Sequence, residues 1–392
     1  MNSSRVDQVQ ALARAISEGP DAGTDEENWL RAERELAVVH DYDTADRDLE
    51  QAGVRVSRLP LEAGVMWRLT LPRGERVETW SDGTGGLALP AEIATLIGGI
   101  LAGKPLQPSP PLSDDPGARR LREMLQEQRH ALLAHDPGTR LGRDPENLHK
   151  HRVAARRART LLRSTRRYLD ADWRQSLAGL LAELGTVTGP VRDLDVLLET
   201  VRGELGGLDP AERSGAHGLI ARLEEERGQA RRLLLAALDG ERYQVLLGRL
   251  RLPPRLGGGV ERVPVERVAR REFVRLARAV ERLGAAPDDE ALHRLRIVVK
   301  RARYAAELSA PSTDAGHRLL ADAAALQDLL GAHQDALVAE ERLRRTTVVD
   351  SPTASAFVAG RLAERQSLRR ERTVAALPAT WKRLRKSAAR LR

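Results

Sequence analysis

The chain has 392 residues, enough for two or three domains, and a formal net charge of +8. It contains no cysteine, which excludes disulfides and thiolate chemistry, and no run of about 18 apolar residues, which excludes a membrane-spanning helix and predicts a soluble cytoplasmic protein. Aromatic residues make up 3% of the chain and hydrophobic residues 41%, so leucine, alanine and valine must fill the core, as in helical bundles.

Residues 1–104 predict a small α+β region. The segments GVRVSRL (53–59) and GVMWRLTL (64–71) contain short alternating patterns that predict β-strands. The segment AEIATLIGGILAG, from Ala91, is predicted to form a helix that packs on them. Prolines then recur through PLQPSPPLSDDPG (105–117), which predicts an extended linker.

From residue 118 to the end, amphipathic patterns predict a mainly α domain. Helices are predicted over roughly residues 114–134, 145–169, 172–186, 191–201, 210–238, 242–250, 265–283, 289–308, 315–330, 333–345, 353–377 and 380–391. LLAELGTVTGPVRDLDVLLETV from Leu180 resembles LQDLLGAHQDALVAEERL from Leu326, and Asp193 matches Asp335. This duplication predicts two pseudo-symmetric antiparallel helical bundles, about 118–252 and 260–392, joined through the glycines at 257–259.

A basic helix occurs in each half. LHKHRVAARRAR begins at Leu148 and LHRLRIVVKRAR at Leu292, with basic residues at matched positions. The spacing H-x-x-R-x-x-x-[RK]-x-x-R places like charges on one helical face, where they repel by about a few tenths of a kcal/mol per pair. Solvated helices usually mix charges of both signs, so this pattern favours anion binding over a plain solvated face. The candidate anion-binding residues are His149, Lys150, Arg152, Arg156, Arg157, Arg159 and Arg163 in the first helix, and His293, Arg294, Arg296, Lys300, Arg301 and Arg303 in the second.

The histidines and the matched aspartates each have two candidate roles. Each histidine either donates a hydrogen bond to a phosphate oxygen or packs at a helix start with its polar tip bonded to the backbone. Metal binding is not expected, because His149 and His151 point to different sides of the helix and no carboxylate or cysteine cluster accompanies them. Asp193 and Asp335 are interpreted as groups that orient arginines or cap a helix, and not as catalytic groups.

The helical region resembles the CHAD domain, the conserved-histidine α-helical domain. The resemblance rests on LHKHRVAARRARTLLR, RDLDVLL, LHRLRIVVKRARYAAEL and LQDLLGAHQDA, and covers roughly residues 119–392. It implies two helical bundles around a basic pore that binds inorganic polyphosphate. By this resemblance the binding role falls on His149, Arg152, Arg156, Arg159, His293, Arg296, Lys300 and Arg303, and the other five candidate residues strengthen the field. Some members of that family associate with polyphosphate granules, so the resemblance also makes granule association an expectation for this chain.

The N-terminal region is similar to part of a CYTH domain, the triphosphate tunnel fold. YDTADRDLEQAGVRVSRL and WRLTLPRGERVE carry this resemblance. The ExExK metal-binding motif of that family is not found, since Glu33 to Ala37 lacks its lysine, and the region is too short for a closed tunnel. A truncated, catalytically inactive remnant is therefore expected.

The predicted function is non-enzymatic binding of inorganic polyphosphate, without a cofactor or metal, with granule-associated proteins as further candidate partners. Two alternatives stay open. The first is a nucleic-acid-binding module that uses the basic segment 361–392 and the basic stripes, which are the rows of basic residues along the two helices. The second is a metal-dependent triphosphatase or polyphosphatase that uses the N-terminal region. The stripes carry no aromatic residues, which binders of single-stranded nucleic acid usually interleave with charge, so nucleic acid is expected to be the weaker competitor.

Overall fold

The computed structural model describes residues 5–19, 22–36, 39–61, 64–81, 88–109, 115–284, 287–309, 313–348 and 353–389. The protein is mainly α, as the sequence predicts: 75% of the described residues are helical, and they form 13 α-helices and a small antiparallel sheet. It divides into two compact units, Met1–Leu112 with Gln244–Leu252, and Ser113–Tyr243 with Pro253–Arg392. Across the described ranges, no helix combines the length and apolar character needed to cross a bilayer.

The first unit contains a five-stranded sheet and four short helices. The helices are α1 (Arg5–Ser17), α2 (Asp25–Leu36), α3 (Asp48–Gln51) and α4 (Ala91–Leu101), and the strands are β1 (His40–Asp43), β2 (Arg55–Leu61), β3 (Gly64–Thr70), β4 (Arg76–Ser81) and β5 (Gln107–Pro108). Neighbouring strands are antiparallel in the order β4-β3-β2-β1-β5. Val56, Trp67 and Leu69 pack with Ile93 and Ile97 of α4, which confirms the predicted strands and the helix on them.

The second unit is helical and consists of two similar halves. The first half contains α5 (Pro116–Leu141), α6 (Pro145–Ser164), α7 (Ala171–Glu204), α8 (Pro210–Asp239) and the start of α9 (Glu241–Arg251), and the second contains α10 (Val265–Glu281), α11 (Asp289–Leu308), α12 (Asp314–Val348) and α13 (Thr353–Ala389). Four successive helices pack in order in each half, and the halves meet where α6 contacts α11, α7 contacts α12 and α8 contacts α13. The duplication therefore brings the two basic helices, α6 and α11, side by side.

Acidic caps begin both basic helices. The Asp144 side chain accepts a hydrogen bond from the Glu146 backbone N–H at 2.9 Å, and the Asp288 side chain accepts one from the Ala291 N–H at 2.7 Å. Each cap satisfies a free amide and places negative charge at the positive end of a helix dipole. The predicted end of the first basic helix is wrong, because α6 ends at Ser164.

Three predicted helix breaks are also wrong. α7, α12 and α13 each continue through positions that the sequence pattern predicted as gaps. Pro190 lies inside α7 and Pro378 lies inside α13, although an interior proline costs a helix about 3 kcal/mol. Buried leucines on both sides of Pro190, such as Leu184 and Leu194, hold both parts of α7 in the core and offset this cost.

Two segments extend the first unit beyond the predicted α+β region. β5 lies inside the predicted linker and pairs with β1 at the sheet edge, where a proline is tolerated. Residues Gln244–Leu252, which the sequence analysis placed at the end of the first helical half, group with the first unit. The backbone of this segment lies against the backbone at Gly53, and glycine at both positions allows the close contact. A Cβ on Gly248 would lie 2.1 Å from the Gly53 carbonyl oxygen.

Candidate functional site

A cavity of about 580 Å³ lies among α6, α7, α11 and α12 in the second unit. This volume is within the range of roughly 300–1,000 Å³ that ligand sites usually have. The polar side chains that line it are His149, Arg152, Arg156, Arg157, Arg192, Asp193, Arg296, Lys300, Arg303, Tyr304, Gln327, Asp328, Gln334, Asp335 and Arg342. Eight of these are Arg or Lys and three are Asp, which leaves an excess of five positive charges when Lys300 is protonated.

The helical repeat explains why the cations of α6 face this cavity. His149, Arg152 and Arg156 are separated by three and four residues, so they lie on one face of the helix. The other side of α6 is buried in the core, and its residues are Leu148, His151, Ala155, Ala158 and Leu162. Apolar packing of one side therefore directs the basic side toward the cavity.

Five cations of the cavity have no acidic partner in contact. Among the described residues, no carboxylate oxygen lies within 4.0 Å of a side-chain nitrogen of Arg152, Arg156, Arg192, Arg296 or Lys300. The Nε atoms of Arg156 and Arg296 are also buried without a hydrogen-bond partner in this part of the chain. Lys300 is buried and the four arginines are half-buried. Removing a charge from water without a partner is costly, so an anion that enters the cavity would offset a cost already present in the free protein.

Burial changes the protonation chemistry of these cations. It lowers the pKa of Lys300 to about 7, with Arg156 and Arg296 contributing in the same direction and Asp335 opposing them. Burial also lowers the pKa of Arg152 and of Arg296, although arginine remains charged. Lys300 is therefore only partly protonated near neutral pH, and an anion beside it would favour the ammonium form.

The matched aspartates both line the cavity and repel each other electrostatically. Burial raises the pKa of Asp193, and attraction to Arg152 opposes that rise. Asp335 attracts Arg152, Arg296 and Lys300. These attractions fit the predicted role of orienting arginines. The alternative role as helix caps is wrong, because both aspartates lie in helix interiors.

The structure brings seven of the thirteen predicted residues into the cavity lining. These are His149, Arg152, Arg156, Arg157, Arg296, Lys300 and Arg303. The other six lie outside that lining: Lys150, Arg159, Arg163, His293, Arg294 and Arg301. The lining therefore takes up only part of the circumference of each basic helix, because successive residues are about 100° apart around the helix axis.

Acids or solvent surround most of the residues outside the lining. Arg294 pairs with Glu290, and an Arg301 nitrogen lies 3.1 Å from the fully buried carboxylate of Glu272. The side chains that are exposed at the surface include Lys150, Arg159 and Arg163. These residues contribute to the local field without facing the cavity.

The two matched histidines have different positions. His149 is half-buried in the lining, and its pKa is lowered by burial first and by Arg192 second. His293 is exposed, and its Nδ1 lies 2.7 Å from Oε1 of Gln334, whose side chain lines the cavity. His149 can therefore contact a ligand directly, whereas His293 is placed to position Gln334.

Two cavity arginines were missed by sequence reasoning. Arg192 adjoins Asp193 in the RDLDVLL motif, but a single arginine in an apolar segment forms no stripe. Arg342 follows Asp335 by about two helical turns and therefore lies on the same face of α12. Proximity to the matched aspartates was the available signal for both.

We expect Lys300→Met to stabilise the ligand-free protein. Methionine keeps most of the side-chain length and removes a buried charge whose desolvation opposes folding. The melting temperature, measured by circular dichroism without multivalent anions, should rise by roughly 2–4 °C per kcal/mol. The exposed Lys150→Met is the matched control and should not raise it. A lower melting temperature for Lys300→Met would mean that the charge stabilises the fold.

Comparison with known proteins supports the family and the fold. A CHAD domain model matches residues 123–344. Two uncharacterized proteins, from two strains of Mycobacterium tuberculosis, are each 28% identical to this chain over 392 residues, covering 95% of this chain and 68% of their own length.

Solved structures show the same fold. The CHAD domain from the plant Ricinus communis superposes with a TM-score of 0.57 at 25% identity, covering 70% of this chain and 94% of its own. PptA from Streptomyces chartreusis superposes with a TM-score of 0.58 at 22% identity, covering 68% of this chain and 99% of its own. Since the matched domain model spans more than half of the sequence and includes both basic helices, this chain belongs to the CHAD domain family.

Proposed function

We propose that this protein binds inorganic polyphosphate in the cavity among α6, α7, α11 and α12 and catalyses no reaction there. The observation that carries the proposal is the set of five cations without an acidic partner among the described residues. Arginine forks match phosphate oxygens in geometry and charge. A linear chain of phosphates can contact several of these cations at once, which a single small anion cannot do.

The charge of the lining suggests how many negative charges the ligand carries. Glu307 pairs with Arg157 and Arg303, and Glu226 pairs with Arg342. When these two glutamates are included, the excess of five positive charges falls to three. A ligand with at least three closely spaced negative charges would balance it, and condensed phosphates meet this requirement.

The cavity offers little support for binding of single-stranded nucleic acid. Such binding usually needs an aromatic ring on which a base stacks. Besides His149, Tyr304 is the one aromatic residue in the described lining, and it is buried. The guanidinium carbons of Arg157 and Arg303 lie 5.5 Å and 5.9 Å from its ring centroid. A base would have to displace an arginine in order to stack there.

The basic segment 361–392 also has internal partners. Arg361 pairs with Glu212, Arg365 pairs with Glu204, and Arg370 pairs with Asp289 and Glu340. These pairs favour a packed helix over a nucleic-acid-binding tail. Residues 390–392 lie outside the described residues.

We further propose that the N-terminal unit is an inactive CYTH-like remnant. In support, its described residues form five strands, and its polar side chains pair with one another across the sheet. Asp41 accepts hydrogen bonds from Arg55 Nε at 2.9 Å and from the Ser57 hydroxyl at 2.7 Å, and Glu78 accepts one from Arg68 at 2.6 Å. Carboxylates engaged in this way are poorly placed to hold a metal ion at a triphosphate.

Titration with long-chain polyphosphate at increasing salt tests the proposed binding. If about five cations meet the chain, the slope of log affinity against log salt should be roughly −3 to −4, by analogy with single-stranded polyanions. Fluorescence anisotropy between about 50 and 300 mM NaCl measures this slope. A slope near zero, or no binding at low salt, would contradict the proposal.

Three further observations separate the rivals. Polyphosphate should displace single-stranded DNA or RNA from the protein, and equal amounts of nucleic acid should not displace polyphosphate. Phosphate release from triphosphate or polyphosphate with Mg²⁺ or Mn²⁺ would support the enzymatic alternative. A fluorescent fusion that co-localises with polyphosphate granules in cells would support the proposed location.

A further inference from the structure

Glu307 joins two cavity arginines that come from different halves of the duplication. Glu307 and Arg303 belong to α11, and Arg157 belongs to α6. The Glu307 carboxylate accepts a hydrogen bond from Arg157 and another, at 3.1 Å, from Nε of Arg303. Both arginines line the cavity, and Glu307 does not belong to that lining. The Glu307 side chain is 15% exposed, so solvent screens these pairs less than it screens surface pairs.

Tyr304 keeps the same two guanidinium groups at the cavity wall. The Tyr304 ring is buried, and its contacts with Arg157 and Arg303 are within cation–π distance. An anion in the cavity therefore meets two guanidinium groups that are already in position. One carboxylate partly balances their charge in the free protein.

Carboxylate and phosphate oxygens compete for the same donors. An arginine fork binds either group through charge-assisted hydrogen bonds. The five cations without an acidic partner among the described residues can accept phosphate oxygens directly, whereas Arg157 and Arg303 must first give up Glu307. The cavity therefore contains two classes of cation, which differ in whether an internal carboxylate stands beside them.

We infer that Glu307 is an internal competing anion that limits the affinity of the cavity, and that bound polyphosphate displaces it from Arg157 and Arg303. This inference rests on the proposed function. Glu307 is a positioning residue, since it acts through the two arginines and lies outside the lining. By weakening the hold on the polyanion it favours release.

Glu307→Gln tests the competition, because it removes the charge and keeps the size of the side chain. In the full-length protein, we expect the dissociation constant for long-chain polyphosphate to fall about tenfold, since charged pairs no longer oppose binding. The slope of log affinity against log salt should steepen by about 0.7–0.9, because the site gains one net positive charge. Glu183→Gln is the matched control, because it changes the net charge by the same amount away from the cavity. Glu183 Oε2 lies 2.5 Å from Nε of Arg242, and Arg242 lies outside the lining.

A double-mutant cycle separates competition from simple bridging of the two halves. Arg157→Ala should cost more affinity in the Glu307→Gln background than in wild type, because Arg157 then has no carboxylate to give up; the difference should be less than about tenfold, because Glu307 still opposes Arg303 in the Arg157→Ala single variant. Equal costs in both backgrounds would overturn the inference. Unchanged affinity and salt slope in a folded Glu307→Gln protein would also overturn it.

Two controls keep the result interpretable. Circular dichroism melting shows whether Glu307→Gln is folded, and if it is not, Glu307→Ala, which also removes the carboxylate, is measured in its place. A wild-type protein that binds no polyphosphate would overturn both proposals. Wild-type binding that Glu307→Gln leaves unchanged would overturn this inference alone.

Discussion

Replacing Arg152 and Arg156 together by alanine is expected to weaken the binding of long-chain polyphosphate by more than tenfold. Both side chains line the cavity and have no ion-pair partner within the described residues, so both are available for phosphate oxygens. A hydrogen bond to a charged group contributes about 1.5–3 kcal/mol, and two such contacts are lost. The salt dependence should also flatten, by about 1.5 in the slope of log affinity against log salt.

Titration calorimetry of folded protein measures both effects. Arg202→Ala with Arg242→Ala is the matched control, because it removes the same charge from exposed arginines that pair with Glu224 and Glu183 outside the cavity lining. The control should lower affinity only slightly, through the long-range field. Wild-type affinity in a folded Arg152/Arg156 double variant would remove α6 from the binding site.

The affinity for polyphosphate is expected to rise as the pH falls from about 9 to 6. The pKa of Lys300 is about 7 in the free protein, because burial and the nearby Arg156 and Arg296 disfavour its charge. A bound polyanion favours the ammonium and raises this pKa, so binding takes up a proton between the two values. The contribution of Lys300 to the affinity is therefore complete below pH 7 and is lost as the pH rises toward the pKa of Lys300 in the complex. The affinity falls in this range by at most about tenfold per pH unit.

His149 should extend this dependence to lower pH. Its pKa lies below its usual value, through burial and then Arg192, and a bound anion would raise it. The effect of Lys300 is expected to be larger near neutral pH, because that residue is buried and its pKa is shifted to about 7.

Calorimetry in buffers of different ionisation enthalpy measures the proton uptake directly. Wild type should take up protons at pH 8, Lys300→Met should take up fewer, and His149→Gln should differ from wild type mainly near pH 6. Long chains are needed, because terminal phosphates titrate near neutral pH and long chains have few ends. Lack of uptake by wild type, or equal uptake by wild type and both variants, would contradict the proposed role of these groups.

Local sequence patterns predicted a large part of the candidate site. The spacing of His149, Arg152 and Arg156 depends only on the helical repeat, so it placed these residues on the face that lines the cavity. The caps at Asp144 and Asp288 were also predictable, because a cap involves residues that are neighbours in the chain.

Features that depend on distant contacts could not be predicted in this way. The sequence pattern predicted a helix break at Pro190, yet α7 continues through it because the residues on both sides are packed in the core. The pattern also predicted Lys150 and Arg301 as anion-binding residues like their neighbours, whereas Lys150 is exposed and Arg301 contacts Glu272. Local periodicity does not report which carboxylate will lie beside a given arginine.

The sequence by itself determined that two basic helices exist, where they begin and which face of each is charged, because these properties follow from local backbone geometry. Only the tertiary structure decided which cations stay without an acidic partner and which are paired. Arg157 and Glu307 are 150 positions apart in the chain and meet because α6 packs against α11. The same packing buries Lys300 and lowers its pKa, since desolvation depends on everything that surrounds a side chain.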